Sequence, residues 1–344
     1  MVWGNLATGY WLGGAAAAGL HWVELGRTTL SGSSDTIAVT SLAAKPYMMV
    51  LGHGINSGQI QNNMRFNNDS GNNYANGYSN DGGSNSNFTS QAYVVNSDTY
   101  TSDIFQTDFI MNESDQEKIG TGQVIAQNAA GAGTAPRRTE YGLKWANTSD
   151  SITSVSLINT GSGDYASGSE VVVLGYDPDD TEGGSVWEEL ASVTLGSAGN
   201  NLSSGTISAK KYLWVQAHCE KSGGATNVQM EFNNDTGNNY IGRYNANGGT
   251  DGTTPSRRGM DMEAGISSIN PILFNAFIIN KSDKEKLVIS ECISRNTSGA
   301  GNAPARAEVV FKWANTSSQI TEIDLYEPTN NLGAGTTLKV WGFD

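Results

Sequence analysis

The chain has 344 residues, 42 of them Gly, with only 16% charged and a net charge of −14. At 38% hydrophobic it can fill a packed core, which excludes a disordered chain. The acidic balance and the lack of any basic stripe exclude nucleic acid and oppose an anionic membrane surface as partner.

Residues 1–21, "MVWGNLATGYWLGGAAAAGLH", carry no charged side chain. No Lys or Arg precedes the apolar part, which argues against a secretory signal. Gly interrupts it well short of the roughly 18 apolar residues of a membrane span. Uncharged apolar sequence is seldom ordered unless something holds it. The segment reads as an assembly arm packed against a neighbouring subunit, with Trp3, Tyr10, Trp11 and Leu12 as its anchors.

From Trp22 onward the chain reads as strands and turns. "AKPYMMVLGHGI" is an apolar run of buried-strand length. It is followed by "FNNDSGNNY" (66–74), a turn-forming cluster. "FIMNESDQEK" ends in the only helix-like composition, enough for one short turn. "NAAGAGTAPRRTEYGLKWANTS" (128–149) leads to the alternating "DSITSVSLIN" and the β-branched "SEVVVLGYD", which closes at Asp177. After the polar stretch "PDDTEGGSV" the same elements return in the same order. "TISAKKYLWVQAHCE", "FNNDTGNNY" (232–240), "FIINKSDKEK", "NTSGAGNAPARAEVVFKWANTS" (296–317) and "SQITEIDLYE" follow one another, and "GAGTTLKVWGFD" closes at Asp344.

A period near 166 is domain-sized, far beyond a solenoid repeat. The chain therefore divides into the arm (1–21), a first repeat (22–177), a linker (178–186) and a second repeat (187–344). About eight strands per repeat with Gly/Asn/Ser turns predict an all-β fold. The expectation is two tandem homologous antiparallel β-sandwiches, jelly-roll-like, behind an apolar N-terminal arm.

Each recurring motif has a structural and a functional reading. The two Asn-rich loops offer oxygens to a hard cation, but each has one carboxylate, Asp69 or Asp235, and neither spacing matches a calcium loop. Asn, Asp and Gly are also what a tight turn demands for positive φ and Asx bonds, the preferred reading. A loop rich in Asn and Tyr also suits a sugar, so Asn67, Asp69, Asn72, Tyr74, Asn233, Asp235, Asn238 and Tyr240 are candidate glycan contacts. His53 and His218 hold matched positions without a GxSxG or HExxH pattern, and read as structural. Arg138 and Glu140, like Arg306 and Glu308, are spaced as same-face strand neighbours and read as ion pairs. No pair of glycosidase carboxylates shares a motif. Cys219 and Cys292 stand where the first repeat has Gly54 and Val124. They suit buried free thiols, or one disulfide between them. No catalytic residue, metal or cofactor is expected.

The closing pattern W-A-N-T-S-x-x-I-T-x-(I/V)-x-L followed by G-(S/T)-x-(V/L)-x-(V/L)-(L/W)-G-(Y/F)-D stands at 145–177 and again at 313–344. It resembles a strand pair common in virion proteins of tailed phages, particularly marine ones. The resemblance covers most of both repeats and implies a β-sandwich of virion exteriors, with no active-site residues to carry over. The expected function is a structural virion protein, exposed on head or tail as a decoration, fibre or appendage, and located in the virion. Its expected partners are further copies of itself, other virion proteins and a host surface glycan. The alternatives are a host-glycan-binding adhesin module and a double jelly-roll capsid shell protein; an enzyme comes last.

Overall fold

The computed structural model describes residues 21–344 except 97, 181–183, 224–226, 267–270 and 296–298. Trp3, Tyr10, Trp11 and Leu12 lie outside the described residues. The described chain is all β. "ESDQEK" forms a non-helical turn, closed by a Gln116 N–H to Glu113 carbonyl bond.

The first half contributes β1 (Val23–Thr29), β2 (Thr36–Val39), β3 (Tyr47–Gly54), β4 (Asn62–Phe66), β5 (Tyr74–Asn80), β6 (Ser86–Gln91), β7 (Ile104–Met111), β8 (Lys118–Ala126), β9 (Arg137–Trp145), β10 (Val155–Asn159) and β11 (Glu170–Tyr176). The second contributes β12 (Glu188–Thr194), β13 (Asn201–Ser203), β14 (Tyr212–Cys219), β15 (Gln229–Phe232), β16 (Tyr240–Ala246), β17 (Gly252–Arg257), β18 (Met260–Asp261), β19 (Ile272–Ile279), β20 (Lys286–Ser294), β21 (Ala305–Trp313), β22 (Ile323–Tyr326) and β23 (Thr337–Phe343).

Every strand pairing is antiparallel, and each half is a sandwich of one large and one small sheet. The large sheets run β1-β11-β3-β7-β8-β9-β5-β6 and β12-β23-β14-β19-β20-β21-β16-β17; the small ones run β2-β10-β4 and β13-β22-β15-β18. Eight strands of the second sandwich (β12, β13, β14, β15, β18, β19, β22, β23), numbered in chain order, run one-eight-three-six facing two-seven-four-five. That is jelly-roll wiring. In the first sandwich the fifth of these strands shrinks to a bridge between Val94 and Met64.

The expectation of about eight strands per repeat falls short, because two further hairpins lengthen each large sheet. β5–β6 and β8–β9 extend the first sandwich, β16–β17 and β20–β21 the second. β5 and β6, "YANGYSN" and "SNFTSQ", lack apolar alternation, and their stability comes from the neighbouring strand.

β3 explains the layering. Its residues are apolar on both faces: Met48 and Val50 enter the core of the first sandwich, while Met49 and Leu51 point outward. The outward set joins Phe105, Ile125, Val172 and Leu174 and packs on Trp187, Tyr212, Phe277, Leu287, Ile289 and Phe343 of the second sandwich. The two large sheets thus lie face to face across a third apolar layer.

Candidate functional site

The Asn-rich loops are structural turns. Asn67 and Asn68 take φ of 49° and 57°, and Asn233 and Asn234 take 53° and 54°, a left-handed conformation that Asn tolerates. Asn67 Oδ1 accepts from the Thr153 and Ser154 N–H groups, and Asn233 Oδ1 from Thr321 and Glu322. Asp69 accepts from Gly71 N–H at 2.8 Å, Asn73 Nδ2 at 2.9 Å and Trp145 Nε1 at 2.7 Å. Burial pushes its carboxyl up, but these bonds outweigh that and hold it below the ordinary range. Asp235 repeats the arrangement with Gly237, Asn239 and Trp313.

Tyr74 and Tyr240 are buried, their hydroxyls bonded to the backbone of Phe66 and Phe232. A sugar cannot stack on them, so the glycan reading of both tyrosines is corrected. Asp69, Asp235, Asn67 and Asn233 spend their oxygens on N–H groups of the turn and of the neighbouring segment and indole. Asn72 and Asn238 remain exposed.

A different site lies between the sandwiches. Strand register assigns counterparts: Tyr47 and Tyr176 face one another as Tyr212 and Phe343 do, and Phe109 faces Thr121 as Phe277 faces Ile289. Three residues touch their own counterparts. Phe109 and Phe277 rings lie 5.7 Å apart, Gln123 donates to Glu291 at 2.7 Å, and the Glu140 and Glu308 carboxyls meet at one nitrogen, Arg138 Nη1. Such contacts mark a local two-fold axis.

Around that axis is a cleft of about 540 Å³, lined by Thr107, Phe109, Gln123, Glu140, Asn275, Phe277, Glu291 and Glu308 among others. Arg138 binds two of the lining carboxylates, Glu140 and Glu308. One guanidinium edge binds both oxygens of Asp251 at 2.9 and 2.8 Å, and Nη1 reaches Glu140 and Glu308, each at 3.0 Å. Glycine is required where the sandwiches meet: at Gly82, φ is 70° and a Cβ would collide with the Asp251 carboxylate. Burial first, then the neighbouring Glu308 carboxyl, push Glu140 up to about 7. The expected Arg138–Glu140 ion pair is present, but its larger role is between sandwiches.

The packing is closed on one side of the axis and open on the other. On the closed side Glu170 accepts from Tyr212 Oη at 2.9 Å and Lys211 Nζ at 2.9 Å, and Lys284 pairs with Asp103 at 3.2 Å. Buried Lys312 reaches the Gln127 and Ala129 carbonyls. His53 is buried there, and burial lowers it to about 3, so it is neutral. On the open side His218 and the Lys144–Glu117 pair stay exposed. The sequence explains the difference. Where the closed side uses Leu51 and Val172, their counterparts are Gln216 and Lys339; the counterpart of Asp251 is Asn85.

The open side leaves an apolar groove of about 440 Å³ on the first sandwich, lined by Trp22, Tyr47, Phe109, Met111, Ile119 and Tyr176. It adjoins the cleft, with which it shares Phe109 and Thr121. Leu273 and Ile293, counterparts of the buried Phe105 and Ile125, are each 52% exposed. Motif reading missed both cleft and groove. The available signal was the run "YMMVLGH", apolar on both faces, which marks a sheet covered on both sides.

Cys219 and Cys292 are free and buried, and burial pushes the Cys292 thiol up to about 12. Among the described residues, no group of three or more His, Cys, Asp or Glu is placed to hold a metal ion. No described helix is long and apolar enough to cross a membrane.

No protein-family model and no curated protein matches the sequence. Among solved structures, the chain is similar to domains LG4-5 of the mouse laminin alpha1 chain. That match has 11% identity and a TM-score of 0.19 over 98% of this chain and 93% of that one. It is also similar to the LG1-3 region of the laminin alpha2 chain, at 10% identity and a TM-score of 0.21 over 90% and 64%. At these scores the likeness carries no argument about function.

Proposed function

We propose that this chain is a structural building block of a virion exterior, a decoration, fibre or appendage that works through sheet faces. The observation that carries the reading is the apolar groove of Trp22, Tyr47, Phe109, Ile119 and Tyr176. Its counterpart in the second sandwich, built on Trp187, Tyr212, Phe277, Leu287 and Phe343, is the surface by which that sandwich packs on another sheet. Apolar surface left in water costs about 25 cal/mol per Å², so a face of this kind favours a cover. The virion location rests on the sequence resemblance alone.

The test is mass spectrometry of purified particles combined with gold-labelled antibody to the exposed Asn72 turn. Many copies at one regular position on the particle are expected. Absence from particles, with the protein in the surrounding medium, would remove the virion reading.

The cleft favours a second reading, a glycan-binding module, because Gln123, Asn275 and Glu291 present amide and carboxylate groups beside the Phe109 and Phe277 rings. A glycan array probed with the protein and with Gln123→Ala decides it. Signals lost in the variant support binding in the cleft, and signals unchanged by it exclude the cleft as the site.

A further inference from the structure

We propose that the apolar groove is the seat of the chain's own N-terminal segment, residues 1–20, with Trp11 and Leu12 covering Phe109 and Ile119. The inference names an occupant for the groove that competes with the partner surface of the building-block reading, and it does not rest on the virion location.

Four observations converge on it. The groove is walled by aromatic and aliphatic side chains, with Tyr47 at 44% and Ile119 at 50% exposed. The second sandwich cannot cover it, because the surface that the local two-fold would bring there carries Gln216 and Lys339 in place of Leu51 and Val172. The described chain begins at His21, and the next residue, Trp22, itself lines the groove. The twenty residues before it contain no charge to keep them in water.

Reach and concentration favour the same chain over a neighbour. The groove crosses β1, β11, β3, β7 and β8, four inter-strand steps of about 4.8 Å, or ~19 Å. Some ten residues separate Trp22 from Leu12, and at ~3.3 Å each they span ~33 Å at most, more than enough to cross. The Gly and Ala run from Gly13 to Gly19 can lie close over the aromatic floor without a steric contest. A segment tethered at the groove's edge is present there at about millimolar effective concentration, which a neighbouring copy matches only in a dense assembly.

The experiment is pairwise cysteine cross-linking in the full chain, with native Cys219 and Cys292 left in place because both are buried. Leu12→Cys is combined with Ile119→Cys, or with Ser33→Cys, which is exposed and does not line the groove. Under mild oxidation at low micromolar protein, the Ile119→Cys pair is expected to close within one chain. The Ser33→Cys pair is expected to cross-link at least tenfold less. Deleting residues 1–20 is expected to raise the fluorescence of an apolar-surface dye several-fold, and Ile119→Asp in the truncated chain to reverse much of that rise. Equal closure at both positions overturns the inference, as does a disulfide found only between chains or a truncation that leaves dye binding unchanged. Light scattering on the same samples reports assembly separately, so a monomeric protein with a filled groove would count against the building-block reading alone.

Discussion

Asp69 and Asp235 show what a recurring polar motif does when it is not a site. Each carboxylate ties a turn N–H, an Asn side chain and a buried indole into one knot. Asp69→Ala is expected to destabilise by about 1–3 kcal/mol, since it strands the Trp145 N–H in the interior. Urea denaturation checks this, and a glycan signal should be unaffected. Arg138 and Arg306 form the sharper contrast, being counterparts with opposite surroundings. The Arg138 side chain is 3% exposed against Asp251 at 1%, whereas Arg306 is 56% exposed. Arg138→Ala takes the bidentate partner from buried Asp251, leaving it only Arg243 at 3.9 Å and Asn245 at 3.2 Å, and is expected to cost about 3–5 kcal/mol. Arg306→Ala is expected to stay within about 0.5 kcal/mol. Equal effects in calorimetry would mean that the two-sidedness of the packing is wrong.

The β9 and β21 strands end on the Lys-Trp of the "KWANTS" motif, and the structure explains why it travels with "QEK" and "KEK". Lys118 Nζ donates to the Gln116 carbonyl at 2.8 Å and the Asn147 carbonyl at 2.9 Å while lying over the Trp145 ring. Lys286 does the same with Lys284, Asn315 and Trp313. The middle of β9 and β21 also meets the other sandwich, through Glu140 and Glu308. A carboxyl raised from 4.5 to about 7 holds its proton in the folded state where the unfolded chain has released it. Stability from this group is therefore full below about pH 4.5 and declines as pH rises through about 7. Glu140→Gln is expected to flatten that decline between pH 5 and 8, measured as the change in unfolding free energy. His53, lowered to about 3, has the opposite sign, and its cost arises only as pH falls below 6.5. A decline that persists unchanged in Glu140→Gln would assign it to another group, such as Asp108, which burial also raises to about 7.

Across the whole molecule, one local two-fold axis is half used. The closed half buries Leu51, Val172 and Phe105 against Tyr212, Phe277 and Phe343, while the polar counterparts leave the other half open. Installing those counterparts, Leu51→Gln with Val172→Lys, is expected to loosen the closed half. Calorimetry is expected to give one transition for the parent and two for this variant, with the lysine the more damaging change because it buries an unpaired charge. A single transition shifted by only a few degrees would mean that the sandwiches are coupled mainly through Arg138 and Glu170.

The all-β class and the sandwich architecture were legible in local sequence, because strand periodicity and turn chemistry act over a few residues. "SEVVVLGY" becomes β11, and the Asn of each "FNND" takes the left-handed turn its composition demands. The extra hairpins β5–β6 and β16–β17 were not legible, since their strands are held by pairing with β9 and β21. The candidate site was hidden for a related reason. Gln123, Glu140, Glu291 and Glu308 have no shared spacing, and they converge only when two large sheets meet face to face. Which half of that contact closes depends on pairs such as Leu51 with Val172 against Gln216 with Lys339. These pairs are more than a hundred residues apart in the chain, and their effect exists only once the sheets have brought them together.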